Sequence, residues 1–189
     1  MSNQVASQVR IIGGEHRGRR LPFADLPGLR PTGDRVRETL FNWLQPRIVG
    51  SRCLDLFAVS GSLGIAAASR GASQVVMLDT ASAVVRQLEE NRQNLKLNQV
   101  TVVRADALQW LEQEPAPFDV VFLDPPFSAN LLGPLCQKLA QGWLAADARI
   151  YLEDETSRTL PVLPEGWQLL KEKVAGQVRY GLASAPLPG

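Results

Sequence analysis

The stretch RCLDLFAVSGSLGIAAASRGASQVVMLD, residues 52–79, decides the fold. Its opening, RCLDLF (52–57), is a short apolar run of the kind a fully buried strand shows, and QVVMLD (74–79) is a second. Between them a turn with Gly61 and Gly64 leads into a helical stretch at 62–70. Strand, helix and strand in this order predict a βαβ unit with parallel strands. The pattern repeats downstream, with strands expected at VTVVRA (100–105), DVVFLD (119–124) and ARIYLED (148–154) and helices at 81–97, 106–113 and 130–141. WQLLKEKVAGQVRYGLAS (167–184) reads as two more strand-like runs around Ala175-Gly176, a hairpin that extends the sheet edge. The expectation is an α/β fold, a mostly parallel sheet with helices on both faces.

Upstream the pattern differs. RIIGGEHRGRRLPF (10–23) reads as two short strands around a turn at Gly13, Gly14 and Gly18, and PGLRPTG (27–33) as a loop. DRVRETLFNWL (34–44) has helical spacing, with Val36, Leu40, Trp43 and Leu44 toward the core and Thr32 or Asp34 as its cap.

The bulk numbers fit one soluble domain. The chain has 189 residues, 45% hydrophobic and 21% charged, and no apolar run near the ~20 residues a bilayer span requires. Its opening lacks the basic start and apolar stretch of a secretory signal. Cys53 and Cys136 match no metal spacing, so no metal is expected and the reading is cytoplasmic, with no membrane partner. The net charge of +1 conceals an asymmetry: residues 1–52 hold nine arginines against four acids, a net of +5, and the remainder carries −4. Arginine suits planar, bidentate phosphate contacts, which makes the front end a candidate polyanion footprint.

In an open α/β sheet, ligands gather beyond the carboxyl ends of the strands. Four expected strands end at or near an acid: Asp55, Asp79, Asp106 and Asp124. Isolated buried acids are unfavourable, so four at one edge suggest a site. Asp79 is placed to bridge two ribose hydroxyls. Asp106 opens DALQWL and suits a helix cap and an adenine contact equally. A nicotinamide dinucleotide calls for a full Gly-x-Gly-x-x-Gly, but Val59 stands where its first glycine would be. A phosphate-free nucleoside cofactor such as S-adenosylmethionine fits better.

VVFLDPPFS (120–128) sharpens this reading. An exocyclic base amine is a poor nucleophile because its lone pair is delocalised into the ring. The Asp124 carboxylate and the Pro125 carbonyl, stiffened by Pro125 and Pro126, offer two acceptors for its hydrogens and stabilise the developing charge. Phe127 offers a face for an unstacked base.

Asp-Pro-Pro-aromatic after a strand resembles the hallmark of amino-methyltransferases with the class I, Rossmann-like fold. RIIGGEHRGRRL, RPTGDRVRETLFNWL, DLFAVSGSLG, SRGA, FDVVFLDPPF and EKVAGQVRYGL together resemble the bacterial small-subunit ribosomal RNA guanine-N2 methyltransferase family, which modifies guanine 966 of 16S RNA. The resemblance runs from about residue 9 to residue 182. It implies a mostly parallel seven-stranded sheet at 34–189, preceded by an arginine-rich hairpin and loop extension at 1–33. It implies S-adenosylmethionine contacts at Asp55, Phe57, Ala58, Ser60, Gly61, Asp79, Asp106 and Ala107, and amine positioning by Asp124, Pro125, Pro126 and Phe127. It further implies that Arg10, Arg17, Arg19, Arg30, Arg35 and Arg37 contact 16S ribosomal RNA, within 30S particles and their ribosomal proteins, with the enzyme a monomer.

The chain departs from that pattern at Val59 and Ala66, where the family has glycine and glutamate, and at Ala81, where an acid is usual. A valine tolerates positive φ poorly, so weakened cofactor affinity with a retained site is expected. Other readings are an adenine-amino DNA methyltransferase, a non-catalytic ribosome assembly factor with a weakened cofactor site and, third, a dehydrogenase. His16, the single histidine, reads as a turn residue, the four tryptophans as core, and Glu153, Asp154 and Glu155 as a solvated strand end.

Overall fold

The computed structural model describes residues 7–26 and 31–187. From residue 52 onward its strands and helices alternate as the apolar runs predict. β3 (Arg52–Asp55), β4 (Gln74–Asp79), β5 (Val100–Arg104) and β6 (Phe118–Leu123) are each separated by a helix: α2 (Gly64–Ser69), α3 (Ser82–Asn94) and α4 (Ala107–Trp110). After α5 (Leu132–Leu139) come β7 (Leu144–Glu155), β8 (Gln168–Ala175) and β9 (Val178–Ser184). They form one seven-stranded sheet in the order β5-β4-β3-β6-β7-β9-β8. The first five strands pair in parallel, while β9 runs antiparallel to both β7 and β8. The 167–184 hairpin thus forms, with β9 rather than β8 next to β7.

Side-chain alternation sorts the strands' residues onto two faces. Cys53, Val75, Met77, Val120, Phe122 and Tyr151 face one apolar cluster; Leu54, Val76, Leu78, Val121, Leu123, Ile150 and Leu152 face the other. Helices α1 (Asp34–Ile48), α2 and α3 cover the first face, and α4 and α5 the second. Leu40, Phe41 and Leu44 on α1 are fully buried, each worth roughly 1.5–3 kcal/mol of apolar transfer. Phe41 meets Phe122 with ring centroids 6.0 Å apart. Trp143 and Trp167 are buried, while Trp43 and Trp110 pack at the cluster margins.

The front end is a separate two-stranded sheet, β1 (Gln8–Arg10) with β2 (Arg20–Pro22), which the turn glycines make possible. It nevertheless shares the first core, because Val9, Ile11 and Leu21 belong to that cluster. Its turn is tied to α2. Glu15 N–H donates to the Ser69 carbonyl at 2.8 Å, Ser69 Oγ donates to the Gly13 carbonyl at 2.9 Å, and Arg70 Nε donates to the Ile12 carbonyl at 3.0 Å. A Cβ at Gly14, where φ is +76°, would stand 2.0 Å from the Ser69 carbonyl oxygen. Only glycine permits that approach.

Candidate active site at the strand tips

β4 and β5 are added on one side of β3, and the chain then crosses to place β6 on the other. That reversal creates a crevice at the carboxyl ends of β3 and β6, the place where such sheets bind ligands. Asp55 ends β3 and Asp124 follows β6, and registers Asp55↔Phe122 and Leu54↔Val121 bring the tips together.

Asp55 is buried, 1% exposed. Its carboxylate accepts from Phe57 N–H at 3.4 Å and Gly64 N–H at 3.2 Å, and thereby holds the ends of the 56–64 turn. Burial pushes this carboxyl up to about 7, with the two N–H donors opposing and Asp79 adding to the rise. Within the turn, Val59 has φ 52°, the left-handed region that a β-branched residue adopts only under strain. The Ala58 carbonyl accepts from Gly61 N–H at 2.8 Å and closes the turn.

Asp79 holds that turn from β4. Its Oδ2 accepts from Val59 N–H at 3.1 Å and its Oδ1 from Ala81 N–H at 3.0 Å. Each oxygen keeps a lone pair, so this carboxylate can still accept two hydroxyls. Asp106 is exposed and accepts from Gln109 N–H at 3.1 Å, the helix-cap geometry. Ala107 is buried beneath it. Phe57 is partly buried at the turn. Ala58 is buried and donates its N–H to the Leu78 carbonyl at 2.9 Å; Ser60 is fully buried, with its Oγ accepting from Ser62 N–H. Gly61, at φ +77°, lies close against helices α2 and α3: a Cβ there would meet Leu88 Cδ2 at 2.7 Å and Ile65 Cδ1 at 2.8 Å, both core side chains.

Asp124 sits deep among protein atoms, yet part of its surface reaches solvent. Thr32 Oγ1 donates to its Oδ2 at 3.0 Å and lies 3.3 Å from Glu153 Oε2, which also accepts from the Tyr151 hydroxyl at 2.6 Å. Burial, then the nearby Glu153, raises the Asp124 carboxyl well above the usual range, and burial raises Glu153 too. Pro125 is buried, Pro126 exposed and Phe127 partly exposed. The loop is braced from the segment after β7: Arg158 Nη1 donates to the Phe127 carbonyl at 2.5 Å and to Asn130 Oδ1.

Three expectations are corrected here. Arg37 is not available to a phosphate: it is 1% exposed, on the α1 face of Leu40, Phe41 and Leu44. Its Nε donates to the Thr32 carbonyl at 3.0 Å, its Nη1 to the Arg10 carbonyl at 2.6 Å and its Nη2 to Asp34. Glu153 is not solvated but 5% exposed beneath Asp124. Thr32 does not cap α1, since Gly33 holds that position without a side-chain bond; its hydroxyl serves the two acids instead. The period-two spacing of Tyr151 and Glu153 marks them as neighbours on one strand face, the signal that could have found the pair.

Of the remaining expected arginines, Arg10, Arg17, Arg19 and Arg35 are exposed on the hairpin and the start of α1, with Arg10 paired to Asp34 at 3.3 Å. Arg20, opposite Arg10 in the hairpin register, is exposed beside them. Arg30 lies outside the described residues. Among the described residues there is no metal-binding cluster, and no helix is long and apolar enough to cross a membrane.

Residues 9–184 match the family model described as conserved hypothetical protein 95. The chain is 51% identical over 178 residues to ribosomal RNA small subunit methyltransferase D of Escherichia coli, covering 94% of this chain and 90% of that one. It is 50% identical to the Haemophilus influenzae protein of the same name, over 93% of each. In three dimensions it superposes on a putative methyltransferase from Escherichia coli with a TM-score of 0.90 at 46% identity, covering 96% of this chain and all of that one. The chain belongs to the conserved hypothetical protein 95 family and is a class I methyltransferase resembling ribosomal RNA small subunit methyltransferase D.

Proposed function

We infer that this chain transfers a methyl group from S-adenosylmethionine to the exocyclic 2-amino group of a guanine in 16S ribosomal RNA, the guanine 966 type, within an assembling 30S particle. The carrying observation is the juxtaposition of Asp124, at the end of β6, with the nucleoside-type turn of Asp55 and Asp79 across the β3–β6 crevice. The relatives named ribosomal RNA small subunit methyltransferase D support an RNA substrate.

The residues fit that cofactor. Asp79, with both oxygens anchored by backbone N–H groups, would take the ribose hydroxyls. Val59 fills the position a pyrophosphate would need open, which favours a ligand without phosphate. The backbone of 55–61 would line the methionine portion, and Asp106 and Ala107 the adenine. When bound, the cofactor supplies a sulfonium-activated methyl group.

The protein's part is to make a poor nucleophile attack. Oδ1 of Asp124 carries no hydrogen bond among the described residues, and neither does the Pro125 carbonyl. Both are therefore open to accept the two amine hydrogens, pulling the nitrogen toward a tetrahedral shape and stabilising positive charge on it. Phe127 would stack on the base. The exposed arginines Arg10, Arg17, Arg19, Arg20 and Arg35 would hold the RNA backbone.

The test is incubation of unmodified 30S particles, and separately of naked 16S RNA and duplex DNA, with labelled S-adenosylmethionine, followed by nucleoside mass spectrometry. N2-methylguanosine from the particles is expected. N6-methyladenosine in DNA, or no product from any substrate, overturns the reading.

A further inference from the structure

Thr32 stands between two acids that belong to distant parts of the chain. Its single hydroxyl hydrogen cannot serve Asp124 Oδ2 at 3.0 Å and Glu153 Oε2 at 3.3 Å equally. Both contacts are satisfied at once only if one carboxyl carries a proton and donates it back to the Thr32 oxygen. The shorter contact favours Thr32 donating to Asp124, which leaves the proton on Glu153, pointing at Thr32. Tyr151 donates to the same Glu153 oxygen at 2.6 Å. Thr32 is 6% and Glu153 5% exposed, so water offers little relief for a second negative charge.

The surroundings favour a single negative charge on the pair. Facing the pair are Asp55 from β3, a like charge, and Tyr151 from β7 with Tyr180 of β9 behind it, ring centroids 6.4 Å apart. From α1, Arg37 bonds the Thr32 carbonyl rather than either acid, and its charge is paired with Asp34. Among the described residues neither Asp124 nor Glu153 makes a salt bridge.

We propose that Glu153, acting through Thr32, is a positioning residue for the reaction: it holds the one proton of the pair, so that Asp124 meets the amine as a carboxylate and takes up the proton the amine releases. The proposal rests on the methyltransferase reading above. In balance, the nitrogen lone pair forms the new N–C bond while the methyl–sulfur bond of the sulfonium donor breaks and leaves its electron pair on sulfur; one N–H bond of the resulting ammonium then breaks, its electron pair returns to nitrogen, and the proton goes to Asp124 Oδ1. The Asp124–Glu153 pair passes from one negative charge to none, and Asp124 then loses the proton to solvent through its exposed part. Burial of both groups, which raises their carboxyls, is consistent with a singly charged pair.

The experiment is the pH profile of kcat for the wild type, Glu153→Gln, Thr32→Val and Thr32→Ser on 30S particles, with carbon-13 NMR titration of the carboxyl groups in the ligand-free proteins. Glu153→Gln keeps a neutral, proton-donating neighbour at that place, so the acid limb of kcat and the Asp124 titration stay within about half a unit of the wild type, while the second carboxyl titration of the pair disappears. Thr32→Val lowers kcat by about 100-fold with KM for the particle little changed, and Thr32→Ser restores it. A merely structural role would not couple a second carboxyl titration to that of Asp124. An acid limb or Asp124 titration that falls by about one unit or more in Glu153→Gln, which would show Glu153 charged beside it, or equal kcat for Thr32→Val and Thr32→Ser, overturns the proposal. Should Glu153→Gln not fold, the two Thr32 variants decide alone. An inactive wild type would count against the function, whereas an active wild type whose Asp124 titration falls in Glu153→Gln would count against this pairing only.

Discussion

Asp79 and Asp106, at the outer tips of β4 and β5, reach solvent and are held by backbone N–H groups, whereas Asp55, at the inner tip of β3, is buried and Asp124, after β6, sits deep among protein atoms with only part of its surface open. One residue type at one sheet edge therefore occupies two environments. A solvated carboxylate accepts hydroxyls at little desolvation cost, which suits recognition of a nucleoside. A buried one is unfavourable until something positive or protic meets it, which suits chemistry that develops charge. The arginines divide the same way, with Arg37 buried as a brace and Arg17, Arg19 and Arg35 exposed. Residue type alone does not assign a role; depth does.

The sharpest way to break the comparison is Asp124→Ala, for which methyl transfer to 30S particles falls by about 1,000-fold, with an unchanged circular dichroism spectrum. Retained transfer would place the chemistry elsewhere.

Next is pH. In the unfolded chain Asp55 titrates near its ordinary 3.8, but burial holds it at about 7 in the fold. Between these values the folded state binds more protons at this group, so its contribution to stability is fully present below about pH 4 and is lost as pH rises toward about 7. At about 1.4 kcal/mol per pKa unit, the loss from this group is on the order of 4 kcal/mol. Denaturation of the ligand-free protein across that window should show the decline, and Asp55→Asn should remove its share.

Arg37→Met should destabilise the protein by about 3 kcal/mol in urea denaturation, because Asp34 and two carbonyls lose their donor. Val59→Gly should relieve the left-handed strain, raise stability by roughly 0.5–1 kcal/mol and tighten S-adenosylmethionine binding in calorimetry. A binding constant that does not improve would remove Val59 as the weak point of the site. The smallest effect on stability is at Arg35→Ala, within about 0.5 kcal/mol, while its salt dependence of RNA binding should drop by about one phosphate contact.

Much of this was legible in the chain. Short apolar runs alternating with amphipathic stretches announced the βαβ series, and the observed strands at 74–79 and 100–104 lie within a residue of expectation. The acids at the strand tips and the Asp-Pro-Pro-Phe turn were also readable, because strand ends in such a sheet converge by topology. Arg37 was misread because a charge run suggests a surface, although its spacing to Leu40, Phe41, Leu44 and Ile48 places it in the buried stripe. Glu153 and Thr32 were out of reach, since 121 positions separate two side chains whose oxygens are 3.3 Å apart.

By itself, then, the sequence determined the alternation of elements, the parallel sheet and the presence of an acid at each tip, because periodicity and turn chemistry are local properties. Only the tertiary structure decided which acids are dry, which arginine is a brace and which two carboxyls share a hydroxyl. Burial and pairing arise from contacts between segments far apart in the chain, and no local pattern encodes the distance between them.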